Sequence, residues 1–162
     1  THALIWLLNI VPVKSYHHIG CSMEKNQIEI RIVTSWPVEE IVTLYKAGGW
    51  WKDSYSSRGI PQLIKGSFAF AVAIDTTMQK TIGMGRVLSD GVSDAYIQDL
   101  VVLPEYRGKN IGKKIVSVLI DHMTAQGITW IGLIAEPGSD QFYKTLGFKP
   151  MERYIPMLHS KE

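Results

Sequence analysis

Residues 98–114 read QDLVVLPEYRGKNIGKK and join a strand, a tight basic turn and the start of a helix. The β-rich run from Ala95 to Leu103 is stopped by Pro104, and Gly108 and Gly112 lie in and after the turn that follows. Free backbone N–H groups, the positive end of a helix dipole and three lysines then meet at one place, which favours binding of an anion. The stretch therefore predicts a site of the kind that holds a pyrophosphate, with an acceptor pocket and a proton path beside it.

The composition is typical of one soluble globular domain, with 162 residues of which 46% are hydrophobic and 20% charged. The formal net charge of +2 is too small to indicate nucleic-acid binding through bulk charge, so we expect no nucleic-acid partner. Cys21 is the one cysteine, which excludes an intramolecular disulfide and fits a reducing, cytoplasmic setting. The adjacent His17 and His18 would point apart on a strand, so we expect no metal site there.

The N-terminal segment differs from the rest of the chain. Ala3 to Val13 is almost wholly apolar, but a membrane helix needs about 20 such residues, and the flanks do not suit a signal peptide. We expect no membrane partner, and we expect Leu4 to Val13 to pack on the domain or on a second copy of it. Because Met23 precedes a clean alternating strand, we interpret residues 1–22 as an extension of unclear origin and residues 23–162 as a single domain.

Hydrophobic periodicity predicts a mixed α/β layer fold. Apolar residues recur at helical spacing from Asn110 to about Gln126, and a helix of this length should connect two parallel strands. An antiparallel meander precedes this crossover unit. The predicted strands are 28–33, 68–74, 81–88, 95–103, 130–135 and a final strand or strand pair at 148 and 154–158, and the predicted helices are 37–46, 60–65, 110–126 and 140–146.

An aromatic loop lies between the first two predicted helices. It contains Trp50, Trp51 and Tyr55, three large rings in a segment with little predicted regular structure. They either cap the edge of the core or line an acceptor pocket, since binding residues concentrate on loops held by a rigid scaffold. Both readings stay open here, and the three rings are candidate substrate-binding residues.

Two motifs carry a resemblance to a known family. The first runs from Leu100 to Gly112, and the second combines Phe142-Tyr143 with Leu146-Gly147-Phe148. With the order of elements from Ile28 to Leu158, they resemble the GCN5-related N-acetyltransferase (GNAT) superfamily. The resemblance implies a mixed, mostly antiparallel sheet with a central splayed pair of parallel strands and helices on both faces. It also implies an enzyme that transfers an acetyl group from acetyl-CoA to an amine, without a metal.

The resemblance also assigns residues to acetyl-CoA. The backbone of Leu100 to Val102 would bind the pantetheine arm, and the turn from Arg107 to Lys113 would bind the pyrophosphate. The family pattern has a glycine where this chain has Asn110, and asparagine is a non-glycine residue that tolerates a positive φ. The cofactor-binding residues implied in this way are Leu100, Val101, Val102, Arg107, Gly108, Lys109, Asn110, Ile111, Gly112, Lys113, Phe142 and Tyr143.

Tyr143 lies where the family often has a tyrosine that protonates the departing CoA thiolate. A phenol with a pKa of about 10 can donate to a thiolate or stabilise it by a hydrogen bond. The alternative is that Tyr143 is a helix residue packed on Phe148.

Asp99 is the candidate group to bind the acceptor ammonium or to pass its proton through water. Gln98 replaces a carboxylate that some relatives carry, and an amide cannot act as a base. The alternative role for Asp99 is a hydrogen bond to the backbone at a bulge. Glu136 is a second candidate carboxylate, and His122 is interpreted as structural.

The leading functional interpretation is direct acetyl transfer to the primary amine of a small molecule. One alternative is a peptide or protein N-acetyltransferase. Another is a catalytically weak acetyl-CoA-binding module, which Gln98 and Asn110 would favour. No covalent acyl-enzyme is expected, because Cys21 lies outside both motifs. Family members are often dimers and the apolar N-terminal segment would suit a partner, so a homodimer is compatible with the sequence.

Overall fold

The computed structural model describes residues 27–159. The predictions for Leu4 to Val13, for the histidine pair and for Cys21 lie outside these residues. The elements in chain order are β1 Ile28–Ile32, α1 Val38–Ala47, α2 Ile60–Gly66, β2 Ala69–Asp75, β3 Lys80–Ser89, β4 Asp94–Val102, α3 Ile111–Ala125, β5 Trp130–Gly132 and α4 Asp140–Lys144, with short 3-10 turns at Ser57–Gly59 and Pro104–Tyr106.

The strands form one mixed sheet in the order β1-β2-β3-β4-β5. Neighbouring strands are antiparallel from β1 to β4, whereas β4 and β5 are parallel because α3 connects them. All seven residues of β2 are buried, which is expected for a strand covered on both faces. The predicted fold class is confirmed.

Helices cover opposite faces of this sheet. A Cβ at Gly85 of β3 would lie 3.0 Å from Ile115 Cγ2 of α3, so this position faces α3. The next residue, Arg86, points the other way and reaches Asp99, which is bonded to Tyr45 of α1. The packing face of α3 repeats every four residues, through Ile111, Ile115, Leu119 and Met123, each at most 2% exposed.

The predicted C-terminal strand is wrong for the described residues. No strand is assigned from Phe148 to His159, and the side chains of Tyr154, Ile155 and Leu158 are 74% to 91% exposed. Pro156 interrupts this run and has no N–H to donate to a ladder. The outer edge of β5 is therefore not paired by residues 148–159, and a second cavity of about 620 Å³ lies between it and this segment.

The fifth strand is also shorter than predicted. The apolar run 130–135 suggested six residues, but β5 ends at Gly132. It pairs with β4 over Asp94–Tyr96 and Trp130–Gly132, and the two strands then diverge. Residues 133–135 have no ladder partner among residues 27–159, and Leu133 and Ile134 border the cleft that opens between the two strands.

We predict that Gly83→Ala destabilises the fold by about 1–3 kcal/mol, as overpacking does. A Cβ at Gly83 would lie 2.9 Å from the carbonyl oxygen of Val101 and 3.1 Å from Ile115 Cδ1, where β3, β4 and α3 meet. Gly66→Ala is the matched control, since nothing lies within 4 Å of its added Cβ, and it should be neutral or stabilise by about 0.4–1 kcal/mol. Urea unfolding curves measure both, and equal midpoints for the two variants would contradict the packing argument.

Candidate active site

A cleft opens where β4 and β5 diverge. Beyond Tyr96, β4 continues to Val102 along β3, whereas β5 has ended, so one edge of β4 is left without a strand neighbour among the described residues. The cleft has a volume of about 610 Å³. Its lining residues are Trp50, Tyr96, Ile97, Gln98, Asp99, Leu100, Val101, Val102, Arg107, Gly112, Leu133, Ile134, Glu136, Ser139, Phe142 and Tyr143.

A β-bulge shapes the inner wall of the cleft. Met84 pairs with Val101 and Arg86 with Gln98, so Gly85 alone stands opposite two residues, Asp99 and Leu100. Asp99 has a φ of 54°. Aspartate adopts this left-handed conformation more readily than most residues, and such strain concentrates at functional sites. The bulge bends β4 at the point where the cleft begins.

The side chain of Asp99 is held from two sides. Its Oδ2 accepts a hydrogen bond of 2.7 Å from the hydroxyl of Tyr45 and one of 2.5 Å from Nε of Arg86. Burial raises the pKa of Tyr45, and the hydrogen bond to Asp99 raises it further, so the phenol stays a donor. Arg86 also donates to Oε1 of Gln98 at 3.2 Å. The positive charge of Arg86 therefore compensates the charge of Asp99 inside the wall.

The turn before α3 presents free donors. Gly108 has a φ of 77°, and Asn110 lies in the left-handed region at φ 59° as the N-cap of α3. The first helical bond runs from the N–H of Lys114 to the carbonyl of Asn110, at 3.1 Å. The N–H groups of residues 108–113 donate no hydrogen bond within residues 27–159. Such a helix start has the geometry and dipole to bind an anion.

This turn is tied to the β2–β3 hairpin. The hydroxyl of Tyr106 donates to Oδ2 of Asp75 at 3.0 Å, and the ammonium of Lys109 lies 5.0 Å from the centre of the Tyr106 ring. Lys80 and Glu105 form an ion pair of 2.9 Å beside them. Arg107 folds back instead, and its Nε donates to the carbonyl of Val102 at 3.0 Å. This end of the cleft, the predicted anion end, is therefore fixed by contacts outside the turn.

Helix α4 forms the opposite wall. The rings of Phe142 and Tyr143 pack edge to face at 4.9 Å, and Tyr143 also packs on Phe148 at 5.8 Å. The hydroxyl of Tyr143 makes no hydrogen bond with any described residue. Burial raises the pKa of Tyr143, and the negative charge of Glu136 adds to this effect. The phenol is therefore protonated at neutral pH, and it lines the cleft. The ring also packs on Phe148, as the alternative interpretation of Tyr143 predicted.

The aromatic loop contributes one ring to the cleft. Trp50 lines it, and the indole N–H donates to Oε1 of Glu136 at 3.1 Å across the opening. Trp51 and Tyr55 do not line it, since they pack edge to face on each other at 5.9 Å. His122 lies away from the cleft, with its ring 6.0 Å from that of Phe68. Of the predicted substrate-binding residues, the structure thus brings together Trp50 and Asp99.

Three residues at the site were missed or ranked low from the sequence. Tyr45 and Arg86 carry no motif, and they reach Asp99 from positions 54 and 13 residues away along the chain. Glu136 follows a predicted buried strand. This position could have identified it as a site residue, because residues at the carboxyl end of a parallel strand border ligand clefts.

No group of three or more side chains suited to hold a metal ion is found among residues 27–159. In the same part of the chain, no helix combines the length and apolar character needed to cross a membrane.

The chain is similar to several curated proteins over less than half of its length. It is 39% identical over 69 residues to the uncharacterized N-acetyltransferase ycf52 of Pyropia yezoensis, covering 43% of this chain and 40% of that protein. It is 39% identical over 71 residues to GCN5-related N-acetyltransferase 2, chloroplastic, of Arabidopsis thaliana, covering 44% and 28%. The matched segments thus span less than half of these relatives.

Solved structures share the fold over most of the chain. The GNAT family protein SP0256 from Streptococcus pneumoniae TIGR4 superposes with a TM-score of 0.70 at 24% identity, covering 83% of this chain and 98% of that one. At this identity the likeness concerns the fold alone. The profile of the acetyltransferase (GNAT) family matches residues 36–148, which include the bulge, the turn before α3 and Tyr143. The chain therefore belongs to the GNAT family, a family of acyltransferases.

Proposed function

We propose that the protein is an acetyl-CoA-dependent N-acetyltransferase that transfers the acetyl group directly to the primary amine of a small molecule. One observation carries this proposal: the turn whose N–H groups have no partner among residues 27–159 meets the cleft at Gly112, and the phenol of Tyr143 lies on the wall of the same cleft. Acetyl-CoA supplies the thioester from which the acetyl group is taken.

The residues at the anion end fit a CoA pyrophosphate. The N–H groups of residues 108–113 have no acceptor within the described part of the chain, and phosphate oxygens are strong acceptors. Gly112 leaves room beside Phe142, because a Cβ there would lie 3.3 Å from Phe142 Cζ and narrow the passage. The backbone of Leu100 to Val102 lies on the free edge of β4, where a pantetheine amide can pair with it, and an N–H near Val102 can stabilise the developing oxyanion.

Tyr143 and Asp99 are proposed to handle the two protons of the reaction. Oη of Tyr143 donates its proton to the departing sulfur, which the raised pKa allows at neutral pH. Oδ1 of Asp99 has no hydrogen-bond partner among residues 27–159, because Tyr45 and Arg86 both bind Oδ2. Oδ1 is thus the atom to accept the proton of the amine, through water, while Arg86 holds the carboxylate in place.

The shape of the acceptor half favours a small molecule over an extended peptide. The whole cleft, including the part proposed for the pantetheine arm, has a volume of about 610 Å³, so only a fraction of it is left for the acceptor. The Trp50–Glu136 hydrogen bond joins the α1–α2 loop to the β5–α4 loop across the opening. A peptide would need an open groove at this position. The predicted homodimer and the predicted cytoplasmic setting stay predictions.

Calorimetry with CoA is the first test, and we expect binding with 1:1 stoichiometry per chain. Release of free thiol from acetyl-CoA is then followed with a panel of arylalkylamines and polyamines, and with peptides of matched charge. Turnover with the amines above that with the peptides would support the proposal. Correctly folded protein that binds no CoA would contradict it, whereas CoA binding without turnover across a pH series would favour the weak binding module.

A further inference from the structure

The charges in the cleft are unevenly compensated. Its charged lining residues are Asp99, Arg107 and Glu136. Asp99 is paired with Arg86, and both side chains are largely buried at 23% and 15% exposure. Arg107 lies at the anion end and donates to the carbonyl of Val102. The carboxylate of Glu136 forms no ion pair with any residue from 27 to 159, and the one hydrogen bond that it accepts there comes from the neutral indole of Trp50.

The negative charge of Glu136 lies in the same cleft as the proposed general acid Tyr143. Glu136 follows β5, lines the cleft and acts electrostatically on the phenol of Tyr143. Its Oε2 has no hydrogen-bond partner in the described part of the chain. Aromatic side chains of Trp50, Tyr96 and Tyr143 line the same space. A carboxylate beside aromatic rings attracts an organic cation through ion pairing and through the negative ring faces.

We propose that Glu136 is a specificity-determining residue that binds the acceptor amine as its ammonium ion, with the indole of Trp50 beside it. This inference rests on the proposed function and names the substrate class, which is cationic alkylamines and arylalkylamines. The ammonium ion docks first on Glu136. The amine becomes nucleophilic only after one proton of the ammonium has passed to Asp99 through water. The second proton, which the nitrogen loses after attack on the thioester, replaces the one that Tyr143 gives to the sulfur. Glu136 therefore contributes to binding of the acceptor more than to the chemical step.

A structural role for Glu136 is the competing explanation, since its bond to Trp50 joins two loops. Glu136→Gln separates the two roles. Glutamine has the same length and keeps an oxygen to accept from the indole N–H, but it has no charge. Trp50→Phe does the opposite, because it removes the N–H donor and leaves the carboxylate. A role in joining the loops predicts the larger loss in Trp50→Phe, and ammonium binding predicts the larger loss in Glu136→Gln.

The test measures binding without turnover. The probe is N,N-dimethylphenethylamine, which is protonated at neutral pH, keeps one N–H to donate to the carboxylate and forms no stable amide. Its neutral counterpart is phenethyl alcohol, and both are titrated by calorimetry into the complex with CoA. We expect the wild type to prefer the cation, and Glu136→Gln to weaken cation binding by about 10- to 100-fold, the usual value of a hydrogen bond to a charged group. The KM for phenethylamine should rise by a similar factor, with kcat changed by less than about 3-fold.

The controls keep this inference separate from the proposed function. Glu39→Gln makes the same chemical change on an exposed face of α1, outside the cleft, and should bind the cation as the wild type does. The affinity for CoA should be unchanged in Glu136→Gln. Equal cation binding by Glu136→Gln and wild type, or a larger loss in Trp50→Phe, overturns the inference while leaving acetyl transfer intact. Failure of the wild type to bind CoA instead contradicts the proposed function.

Discussion

Tyr143→Phe should lower kcat by about 100- to 10,000-fold, the range for loss of a general acid. Phenylalanine keeps the edge-to-face contacts with Phe142 and Phe148, so the wall of the cleft is retained and only the hydroxyl is lost. The affinity for CoA should change little. Tyr154→Phe is the matched control, because Tyr154 is 74% exposed and does not line this cleft.

The pH profile gives a second readout of the same residue. Burial, with the charge of Glu136, raises the pKa of Tyr143, so the phenol keeps its proton to a higher pH than an ordinary tyrosine of pKa about 10. The fall in kcat caused by loss of this proton should therefore come at a higher pH than an ordinary tyrosine would give. Glu136→Gln removes one of the two causes and should move that fall toward lower pH. A kcat for Tyr143→Phe within about 3-fold of wild type would remove Tyr143 from the mechanism.

Gly112→Val should weaken CoA binding by about 100-fold or more. A Cβ at this position would lie 3.3 Å from Phe142 Cζ and 3.8 Å from Val102 Cγ2, and the two methyl groups of valine would enter the cleft between them. They would also stand in front of the free N–H groups at the start of α3. Loss of two hydrogen bonds to a charged group, at about 1.5–3 kcal/mol each, corresponds to about 100- to 10,000-fold in affinity.

Gly112→Ala should weaken CoA binding less than Gly112→Val does. Its single methyl group needs only a small shift of the Phe142 ring, so we expect a loss of affinity between those of wild type and valine. Calorimetry with CoA measures the three proteins, and thermal unfolding shows that the fold persists, because the first turn of a helix tolerates a β-branched residue at a cost of roughly 0.5 kcal/mol. Unchanged CoA affinity in Gly112→Val would mean that the anion binds elsewhere.

Hydrophobic spacing and turn residues predicted most helices and strands, because these patterns depend only on residues that are close together in the sequence. The four-residue spacing of Ile111, Ile115 and Leu119 predicts α3 and its buried face without reference to the rest of the chain. Asn110 adopts the left-handed conformation that the turn requires, as its side chain type allows. The turn and the crossover unit around it could thus be read from the sequence.

Strand pairing at the C-terminus could not be predicted in the same way. The segment 154–158 has a strand-like composition, but a strand exists only with a ladder partner, and Pro156 removes one of the donors. Trp51 and Tyr55 show the same limit. Aromatic composition marked the whole loop, while the path of the backbone directs only Trp50 into the cleft.

The sequence by itself determined the strand–turn–helix, the order of elements from β1 to α4 and the family, because periodicity, turn residues and motifs are local properties of the chain. Only the tertiary structure decided the electrostatics of the cleft. Arg86 reaches Asp99 across a bulge, and Trp50 reaches Glu136 from a loop 86 residues away along the chain. Such contacts form when distant segments pack, and they decide that the carboxylate of Asp99 is paired with a cation whereas that of Glu136 accepts from a neutral indole.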